Sequence, residues 1–445
     1  MGRGSGLFLH GGPSGRHSIT ALMGALEERG LDTCPETGFA LGAFEVTPEL
    51  RRFISSHDPC AVGISFMTHE KRQAFSFVSR LRHEFGPQLF IFCGGPHSTG
   101  APRETLNRGF DMAVRGDGEA PLILVAQALR DRQAIAAIPG SCVREGDRMT
   151  AFPPAVSSLD DFAPYAPGHR LYNALEITRG CFHHCAYCQT PSLFEGPVRH
   201  RSLEKIIEAL TLYIRQRNRP AHVRFITPSA FSYGAQTSGE VRFDRIEELL
   251  RESRKVLRKE DRLGFGFFPS ELRPEQATEE AFDLILELAD NRRLVMGAQT
   301  GNAQRLASLH RGHTLDHVLR AVRLGVKKGF RMDVDFILGF PHETEEEFRD
   351  TLAFMEEIGG AGAAIHAHFF LPLPGTPLGK ESPVPLTEEK RSALKKIMAR
   401  FPFYGNWERQ AEISESLKSA EGHACERPCE IPQDTVHFHH KEGEL

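Results

Sequence analysis

The chain has 445 residues, of which 40% are hydrophobic and 25% charged, as in an ordinary globular protein with more than one domain. Its net charge is −4, from 54 Lys and Arg against 58 Asp and Glu, so no general attraction to nucleic acid or anionic membranes is expected. No apolar run reaches the roughly 18 residues of a membrane span, and charges interrupt any secretory pattern. We therefore expect a cytoplasmic protein with no membrane or nucleic-acid partner.

The first 150 residues alternate short apolar strands with amphipathic helices. Ser18 is predicted to begin a helix that ends before Gly30, and Thr47 before Pro48 has the chemistry of another helix start. The predicted strands are 7–9, 61–66 and 89–93. This alternation predicts a doubly wound, Rossmann-like α/β domain with a parallel sheet covered on both faces.

A proline-containing segment, 151–170, is interpreted as a linker, and a second alternation follows over 171–380. Thr344 and Glu347 form a predicted capping box before one of its helices. The predicted strands are 174–179, 222–227, 262–268, 294–299, 332–338 and 363–370. Six strand–helix units favour a partial (β/α)6 barrel. Residues 381–445 are predicted to be a more polar extension with a helix at 387–400.

Three of the nine cysteines, Cys181, Cys185 and Cys188, lie within eight residues, directly after the first predicted barrel strand. Three thiolates in the spacing C-x₃-C-x₂-C can each bind one iron of a 4Fe–4S cluster and leave the fourth iron open. A zinc site completed by His183 or His184 is the alternative. An odd cysteine count without a secretory pattern favours metal chemistry over disulfides.

This loop resembles the radical S-adenosylmethionine (SAM) superfamily signature, C-x₃-C-x-(aromatic)-C, with Tyr187 at the aromatic position. The resemblance implies a 4Fe–4S cluster on the three cysteines and SAM bound to its open iron. It further implies reductive cleavage of SAM to a 5′-deoxyadenosyl radical. An electron donor such as flavodoxin or ferredoxin and a small-molecule substrate follow from that chemistry.

The same resemblance implies SAM contacts at the ends of later strands. Thr227 and Ser229 stand where the superfamily commonly has Gly-Gly-Glu beside the methionine end of SAM. Gln299 and Thr300 resemble the segment that contacts the ribose and carboxylate, and Asp335 opens a segment resembling the adenine side.

Period-2 alternation places Asp333 and Asp335 on one strand face, and likewise His366 and His368. A paired-carboxylate or two-histidine active site fits this pattern. Hydrogen-bonded core polar groups fit it as well.

A series of polar residues and glycines follows successive strand ends of the amino-terminal domain, where doubly wound sheets bind ligands. The series comprises Ser65, Thr68, Gly94, Gly95, His97 and Glu119. It resembles the cobalamin-binding domain fused before many radical SAM barrels, which implies a cobalamin site at these residues. The Asp-x-His-x-x-Gly pattern of a lower axial histidine is absent, so cobalamin is expected without a protein histidine on cobalt. A domain that keeps the fold without the corrinoid is the alternative.

These resemblances favour a cobalamin-dependent radical SAM enzyme that transfers a methyl group to an unactivated carbon or a phosphinate. Radical cyclisation, rearrangement or oxidation without methyl transfer is the first alternative. A non-catalytic iron–sulfur or corrinoid protein is the second. Sulfur insertion, as in tRNA methylthiotransferases, is disfavoured because no basic carboxy-terminal RNA-binding module follows.

The remaining cysteines fall into two groups. Four lie in or near apolar runs and are expected to be small core residues: Cys34, Cys60, Cys93 and Cys142. Cys425 and Cys429, with histidines shortly after them, are a candidate second metal site, and a solvated tail is the alternative.

Overall fold

The computed structural model describes residues 3–135, 138–146, 148–154, 156–194 and 196–418. The candidate site at Cys425 and Cys429 lies outside the described residues. No helix among those residues is long and apolar enough to cross a membrane.

The amino-terminal half alternates strands and helices. Its elements are β1 (Gly6–Gly11), α1 (Arg16–Glu28), β2 (Glu36–Leu41), α2 (Pro48–Ser56), β3 (Cys60–Ser65), α3 (Lys71–Phe85), β4 (Phe90–Gly94), α4 (Pro96–Gly100), α5 (Pro102–Leu106), β5 (Met112–Val114), α6 (Glu119–Arg130), β6 (Ser141–Glu145) and β7 (Arg148–Ala151).

These strands form one sheet in the order β2-β1-β3-β4-β5-β6-β7. The first five are parallel, and β6 and β7 add an antiparallel edge. The order 2-1-3-4-5 is that of a flavodoxin-like doubly wound sheet, which binds ligands at the carboxyl ends of its strands. The predicted doubly wound domain is confirmed. Strand β2 escaped prediction: its sequence, Glu-Thr-Gly-Phe-Ala-Leu, begins with two polar residues and a glycine, and none of its residues is fully buried.

Helix boundaries test the capping predictions. Thr47 caps α2, since its Oγ1 accepts the Leu50 N–H at 3.2 Å. Thr344 forms the predicted capping box with Glu347. The prediction for Ser18 was wrong, because α1 already begins at Arg16 and its N-cap residue is Gly15. The Ile19 N–H donates to the Gly15 carbonyl, so Ser18 lies inside the first turn of the helix.

The cysteines outside the 181–188 loop also divide. Cys60, Cys93 and Cys142 are buried in the core of the amino-terminal sheet, as predicted. Cys34 is exposed, so its assignment to the core was wrong. It lies in the turn between α1 and β2, where Pro35 and Thr37 follow and no apolar run encloses it.

The carboxy-terminal half begins with short, interrupted strands and ends with long ones. Its elements are β8 (Leu175–Glu176), β9 (Thr178–Arg179), α7 (Thr190–Leu193), β10 (Arg199–His200), α8 (Leu203–Arg215), β11 (His222–Val223), β12 (Phe225–Ile226), α9 (Phe243–Val256), β13 (Arg262–Leu263), α10 (Glu279–Leu288), β14 (Arg293–Gln299), α11 (Ala303–Ser308), α12 (Leu315–Lys327), β15 (Arg331–Leu338), α13 (Glu345–Gly360), β16 (Ala364–Phe369), α14 (Glu388–Met398), β17 (Phe403–Tyr404) and α15 (Trp407–Lys418).

Most of these strands pair in parallel, as β8 with β12, β11 with β13, and β14-β15-β16-β17 in sequence, whereas β9 and β10 form a short antiparallel pair. The partial barrel is therefore confirmed. The predicted extension is joined to it, because β17 pairs with β16 and Trp407 is buried in the same core.

Alternation along β15 separates the barrel's two faces. Val334, Phe336 and Leu338 are buried in the core shared with the surrounding helices, and the Phe336 ring lies 6.2 Å from that of Phe354 on α13. Asp333, Asp335 and Ile337 therefore face the opposite side, the interior of the barrel. We call this interior the lumen.

Candidate functional site

The cysteine loop, residues 181–188, follows β9 and leads towards α7. Cys185 is buried, and Cys181 and Cys188 are half-buried. The Ala186 N–H donates to the Leu309 carbonyl at 3.0 Å, and the Ala186 carbonyl accepts the Leu378 N–H at 3.1 Å. The loop is thus fixed between the end of α11 and the segment after β16.

The donor set of this loop fits an iron–sulfur cluster better than one zinc ion. All three thiols are free. Ligands of one tetrahedral Zn²⁺, each about 2.3 Å from the metal, lie about 4 Å apart. Among the described residues, the thiols are not in any group of three ligand atoms that all lie within 4.8 Å of one another. Wider spacing is what a cube with one iron per thiolate requires.

Arg311 is the main site residue that the sequence analysis missed. Its Nη1 lies 3.6 Å from Cys185 Sγ, and its Nη2 donates to the Gly297 carbonyl at 3.2 Å. Burial opposes the charge, but the nearby Tyr187 and Cys185 outweigh it and raise the pKa of Arg311. The guanidinium therefore stays charged beside the cysteine loop. No motif signals it, because it reaches the loop from a turn 126 residues away.

Gln299 lies next to this arginine in an unusual backbone conformation. Its φ is +74°, in the left-handed region, where β14 shifts register against β15. A Cβ on Gly297 would overlap the Gln299 side-chain nitrogen, so the amide folds back over Gly297 towards Arg311. Non-glycine residues in this region store strain that is concentrated at functional sites.

Tyr187 packs against the barrel beside the loop. Its ring lies 5.8 Å from that of Phe340, within an apolar cluster that includes Ile337 from the lumen face of β15. Burial raises the pKa of the Tyr187 hydroxyl, so it is neutral. The lumen face of β15 thus adjoins the cysteine loop.

The hydroxyls of Thr227, Ser229 and Thr300 are buried and already hydrogen-bonded within the protein. Thr227 donates to the Ser229 carbonyl at 2.8 Å, and Ser229 donates to Gln276 at 2.7 Å. Thr300 Oγ1 accepts the Asn302 N–H at 3.2 Å. These side chains shape the strand-end loops, and their predicted contact with SAM stays a prediction.

Asp335 lies with two histidines on the lumen face rather than at the strand end. Asp335 Oδ1 is 2.9 Å from His366 Nδ1, and Oδ2 is 3.8 Å from His368 Nε2. Burial alone would raise its pKa, but the bonds to both histidines outweigh burial and lower it. The structure therefore assembles the carboxylate and the two-histidine pair in one cluster.

A cleft of about 1720 Å³, including its solvent-open part, lies between the amino-terminal sheet and the barrel. Ser65, Gly94 and Gly95 line it from the carboxyl ends of β3 and β4, and Ile226 and Phe268 line it from the barrel. A Cβ on Gly94 would meet only Val114, at 3.9 Å, so its open side faces the cleft. Glycine at this strand end therefore lets a ligand in the cleft approach the backbone closely.

Of the other residues predicted for cobalamin, two do not line the cleft and the third is bound by an arginine. Thr68 and His97 are buried beneath the cleft wall, with His97 Nδ1 3.3 Å from Thr68 Oγ1, and neither lines the cleft. Glu119 lines the cleft, but its carboxylate is held by Arg179, whose Nη2 donates to it at 2.7 Å. Their contact with cobalamin stays a prediction.

Buried contacts hold the two halves together around this cleft. Asp117 pairs with Arg199 and with Arg179, and Arg179 pairs with Glu119. Burial would raise the pKa of Glu119, but Arg179 outweighs it and holds the pKa at about 2. Gln189, next to the last loop cysteine, donates to the carbonyls of Pro96 at 3.2 Å and Pro374 at 2.8 Å. None of these contacts had a sequence motif.

Two family models match the chain. The radical SAM superfamily model matches residues 175–355, and the B12 binding domain model matches residues 18–126. Residues 127–174, which include β6 and β7 of the amino-terminal sheet, lie between the two matches.

Sequence relatives cover the chain in part. A tRNA-2-methylthio-N(6)-dimethylallyladenosine synthase of Pelobacter propionicus is 29% identical over 54% of this chain, which spans about half of that relative, 52%. An uncharacterized methyltransferase of Pyrococcus horikoshii is 25% identical over 74% of this chain and 71% of its own length.

Solved structures share the fold. TsrM from Kitasatospora setae, a radical SAM methyltransferase with cobalamin and a 4Fe–4S cluster bound, superposes with a TM-score of 0.62 at 19% identity. The match covers 85% of this chain and 74% of TsrM. The cobalamin-dependent radical SAM enzyme OxsB gives 0.63 at 16% identity, over 88% of this chain and 55% of OxsB.

Proposed function

Since the chain belongs to the radical SAM superfamily and carries an amino-terminal cobalamin-binding domain, we propose that it is a cobalamin-dependent methyltransferase. It transfers a methyl group to an unactivated carbon or a phosphinate of a small molecule. Flavodoxin or ferredoxin supplies the electron, and the enzyme works in the cytoplasm.

The observation that carries the proposal is the cleft between the two units. It opens at the carboxyl ends of β3 and β4, where doubly wound sheets bind their ligands, and its other wall belongs to the barrel. A corrinoid seated over Gly94 and Gly95 would therefore face the barrel. That is the arrangement a methyl transfer between the two units requires.

The chain's own residues hold and orient the cofactors. Cys181, Cys185 and Cys188 would hold the cluster, and Tyr187, Gln299 and Asp335, with Thr227, Ser229 and Thr300, would surround SAM. The cobalamin site would be formed by four residues that line the cleft, Ser65, Gly94, Gly95 and Glu119, together with the buried residues Thr68 and His97. When bound, these groups supply reductive cleavage of the SAM sulfonium and a methyl group carried on cobalt.

Arg311 and the domain contacts support this arrangement. The Arg311 guanidinium places a positive charge and a hydrogen-bond donor at a cluster thiolate, which favours the reduced state of an iron–sulfur cluster. The buried Arg179 ion pairs and the Gln189 bridge fix the distance between the two ligand sites.

Anaerobic reconstitution tests the proposal. The purified full-length protein, given iron, sulfide, hydroxocobalamin, SAM and dithionite, is expected to bind one 4Fe–4S cluster and one corrinoid. It should form both 5′-deoxyadenosine and S-adenosylhomocysteine. Cys185→Ala is the matched control and should lose the cluster and 5′-deoxyadenosine while still binding corrinoid.

The other outcomes separate the alternatives. Formation of 5′-deoxyadenosine without S-adenosylhomocysteine, in spite of tight corrinoid binding, would indicate radical chemistry without methyl transfer. Formation of neither product, together with a cluster EPR spectrum that does not change when SAM is added, would indicate a non-catalytic protein.

A further inference from the structure

The lower end of the lumen is closed by a buried carboxylate and two partly exposed arginines. Asp333, which is fully buried, bonds Arg293 and accepts the Tyr404 hydroxyl proton at 3.0 Å. Arg331 approaches the other oxygen of Asp333 at 3.2 Å. A substrate therefore enters from the opposite end, beside the cysteine loop, and meets the next layer of side chains.

That next layer contains Asp335 and His366. His366 Nδ1 lies 2.9 Å from Asp335 Oδ1, and the imidazole stacks on Tyr404 with ring centroids 4.3 Å apart and planes at 11°. An ionised carboxylate only accepts hydrogen bonds, so Nδ1 carries the proton that it shares with Asp335. In the neutral imidazole, Nε2 is then the basic nitrogen.

His368 has the opposite tautomer, because Gln410 of α15 fixes it. Gln410 Oε1 accepts the Phe369 N–H at 2.8 Å, which leaves its Nε2 to donate to His368 Nδ1 at 3.4 Å. The His368 proton therefore sits on Nε2, directed towards Asp335. A histidine that binds metal through Nε2 needs the reverse arrangement, with Nδ1 donating to an acceptor. The geometry thus favours proton handling over a two-histidine, one-carboxylate metal site.

The charged groups around this layer define what it accepts. Glu271 is near Asp335, and burial together with that neighbour raises the pKa of Glu271 to about 7. His368 and Arg311 oppose this rise in the pKa of Glu271, and the Arg311 guanidinium already contacts Cys185 and Gly297. The layer offers carboxylates and a basic imidazole nitrogen, which pair with hydrogen-bond donors and repel anions.

We propose that His366 is the proton acceptor of the lumen, positioned by Asp335, and that the substrate presents an N–H or O–H group to it. The inference rests on the proposed function, because it places the substrate in the lumen. The bond broken is the substrate N–H or O–H, and its electron pair remains on the substrate. The proton goes to His366 Nε2, and Asp335 stabilises the resulting imidazolium. Asp335 and Gln410 are positioning residues.

Diethyl pyrocarbonate tests the basic nitrogen without turnover, since it acylates unprotonated imidazole. The cluster- and corrinoid-loaded protein is treated anaerobically with a chelator at pH 8, where an imidazole of ordinary pKa, about 6.5, is neutral. Peptide mass spectrometry then gives the labelling rate of each histidine. We expect His366 to be labelled, and Asp335→Asn to slow its labelling roughly fivefold, because a neutral amide holds the Nδ1 proton more weakly.

Two controls accompany this measurement. Glu271→Gln removes a carboxylate from the same layer without touching His366, and should leave the labelling rate of His366 unchanged. His83, exposed on α3, is the internal standard for reagent activity in every sample.

Three results would overturn the proposal. The first is that His366 is not labelled, and the second is that its labelling rate is the same in the wild-type protein and in Asp335→Asn. The third is that the wild-type protein binds Co²⁺ stoichiometrically and that the bound Co²⁺ protects His366 and His368 from the reagent. The Co²⁺ titration needs no variant, so it decides the matter even where Asp335→Asn does not fold. None of these readouts depends on SAM cleavage, so failure of the methyltransferase proposal remains separately visible.

Discussion

Arg311 Nη1 lies 3.6 Å from Cys185 Sγ, which places a buried positive charge beside the central cysteine of the cysteine loop. Burial would disfavour that charge, yet its surroundings raise the pKa of Arg311. The guanidinium therefore stays positively charged at any pH at which the protein is folded. It is also the link between the loop and the Gly297–Gln299 segment.

Arg311→Met should make the cluster harder to reduce. Loss of a charge-assisted hydrogen bond to sulfur costs about 1.4 kcal/mol, which for one electron lowers the midpoint potential by about 60 mV. An EPR-monitored redox titration measures this shift. Arg311→Lys keeps the charge and should shift the potential less. Equal potentials in all three proteins would contradict the role assigned to Arg311.

Gly94→Val should block corrinoid binding while leaving the fold intact. The Cβ of residue 94 would project into the cleft, 3.9 Å from Val114, and the backbone there does not need glycine. We expect at least about a tenfold loss of hydroxocobalamin affinity, by spectroscopic titration, with unchanged iron content. Gly4→Val, at an exposed position outside the cleft, is the control. Unchanged affinity in Gly94→Val would place the corrinoid elsewhere.

The contrast between Gln299→Gly and Gln299→Ala tests whether the left-handed backbone at this residue is strained. Glycine adopts a φ of +74° freely, whereas alanine does not, so the glycine variant should be the more stable by about 1 kcal/mol. Denaturant unfolding of both variants measures the difference. If Gln299 holds SAM, both variants lose SAM affinity alike, and only stability separates them.

Local sequence signals predicted what depends on local chemistry. The Thr47 cap, the Thr344–Glu347 capping box and the two parallel-strand alternations all formed, because neighbouring residues determine them. The cysteine loop was equally visible in the sequence.

No local pattern predicted the roles of Arg311, Gln410 and Arg179. Each of them contacts a residue more than 40 positions away, so its role follows from tertiary packing. The Asp335 pairing with His366 was only half visible, as two separate strand faces.

Glu119→Gln should lower the free energy of unfolding, because it removes one of the buried ion pairs between the amino-terminal domain and the barrel. Arg179 keeps Glu176 at 2.7 Å and Asp117 at 3.2 Å as partners, so the loss should be about 2 kcal/mol, less than the 3–5 for an abandoned buried charge. The pKa of Glu119 is about 2 in the folded protein against 4.5 ordinarily. Its stabilisation is thus complete above about pH 4.5 and lost as the pH falls towards 2. Denaturant unfolding between pH 7 and pH 3 measures the free energy of unfolding of wild type and variant. Their difference should be constant down to about pH 4.5 and should shrink below it.

Glu247→Gln, which breaks an exposed pair with Arg251 on α9, is the control and should change the free energy of unfolding by less than about 0.5 kcal/mol at every pH. A Glu119→Gln effect no larger than that control would show that the buried pair does not hold the units together.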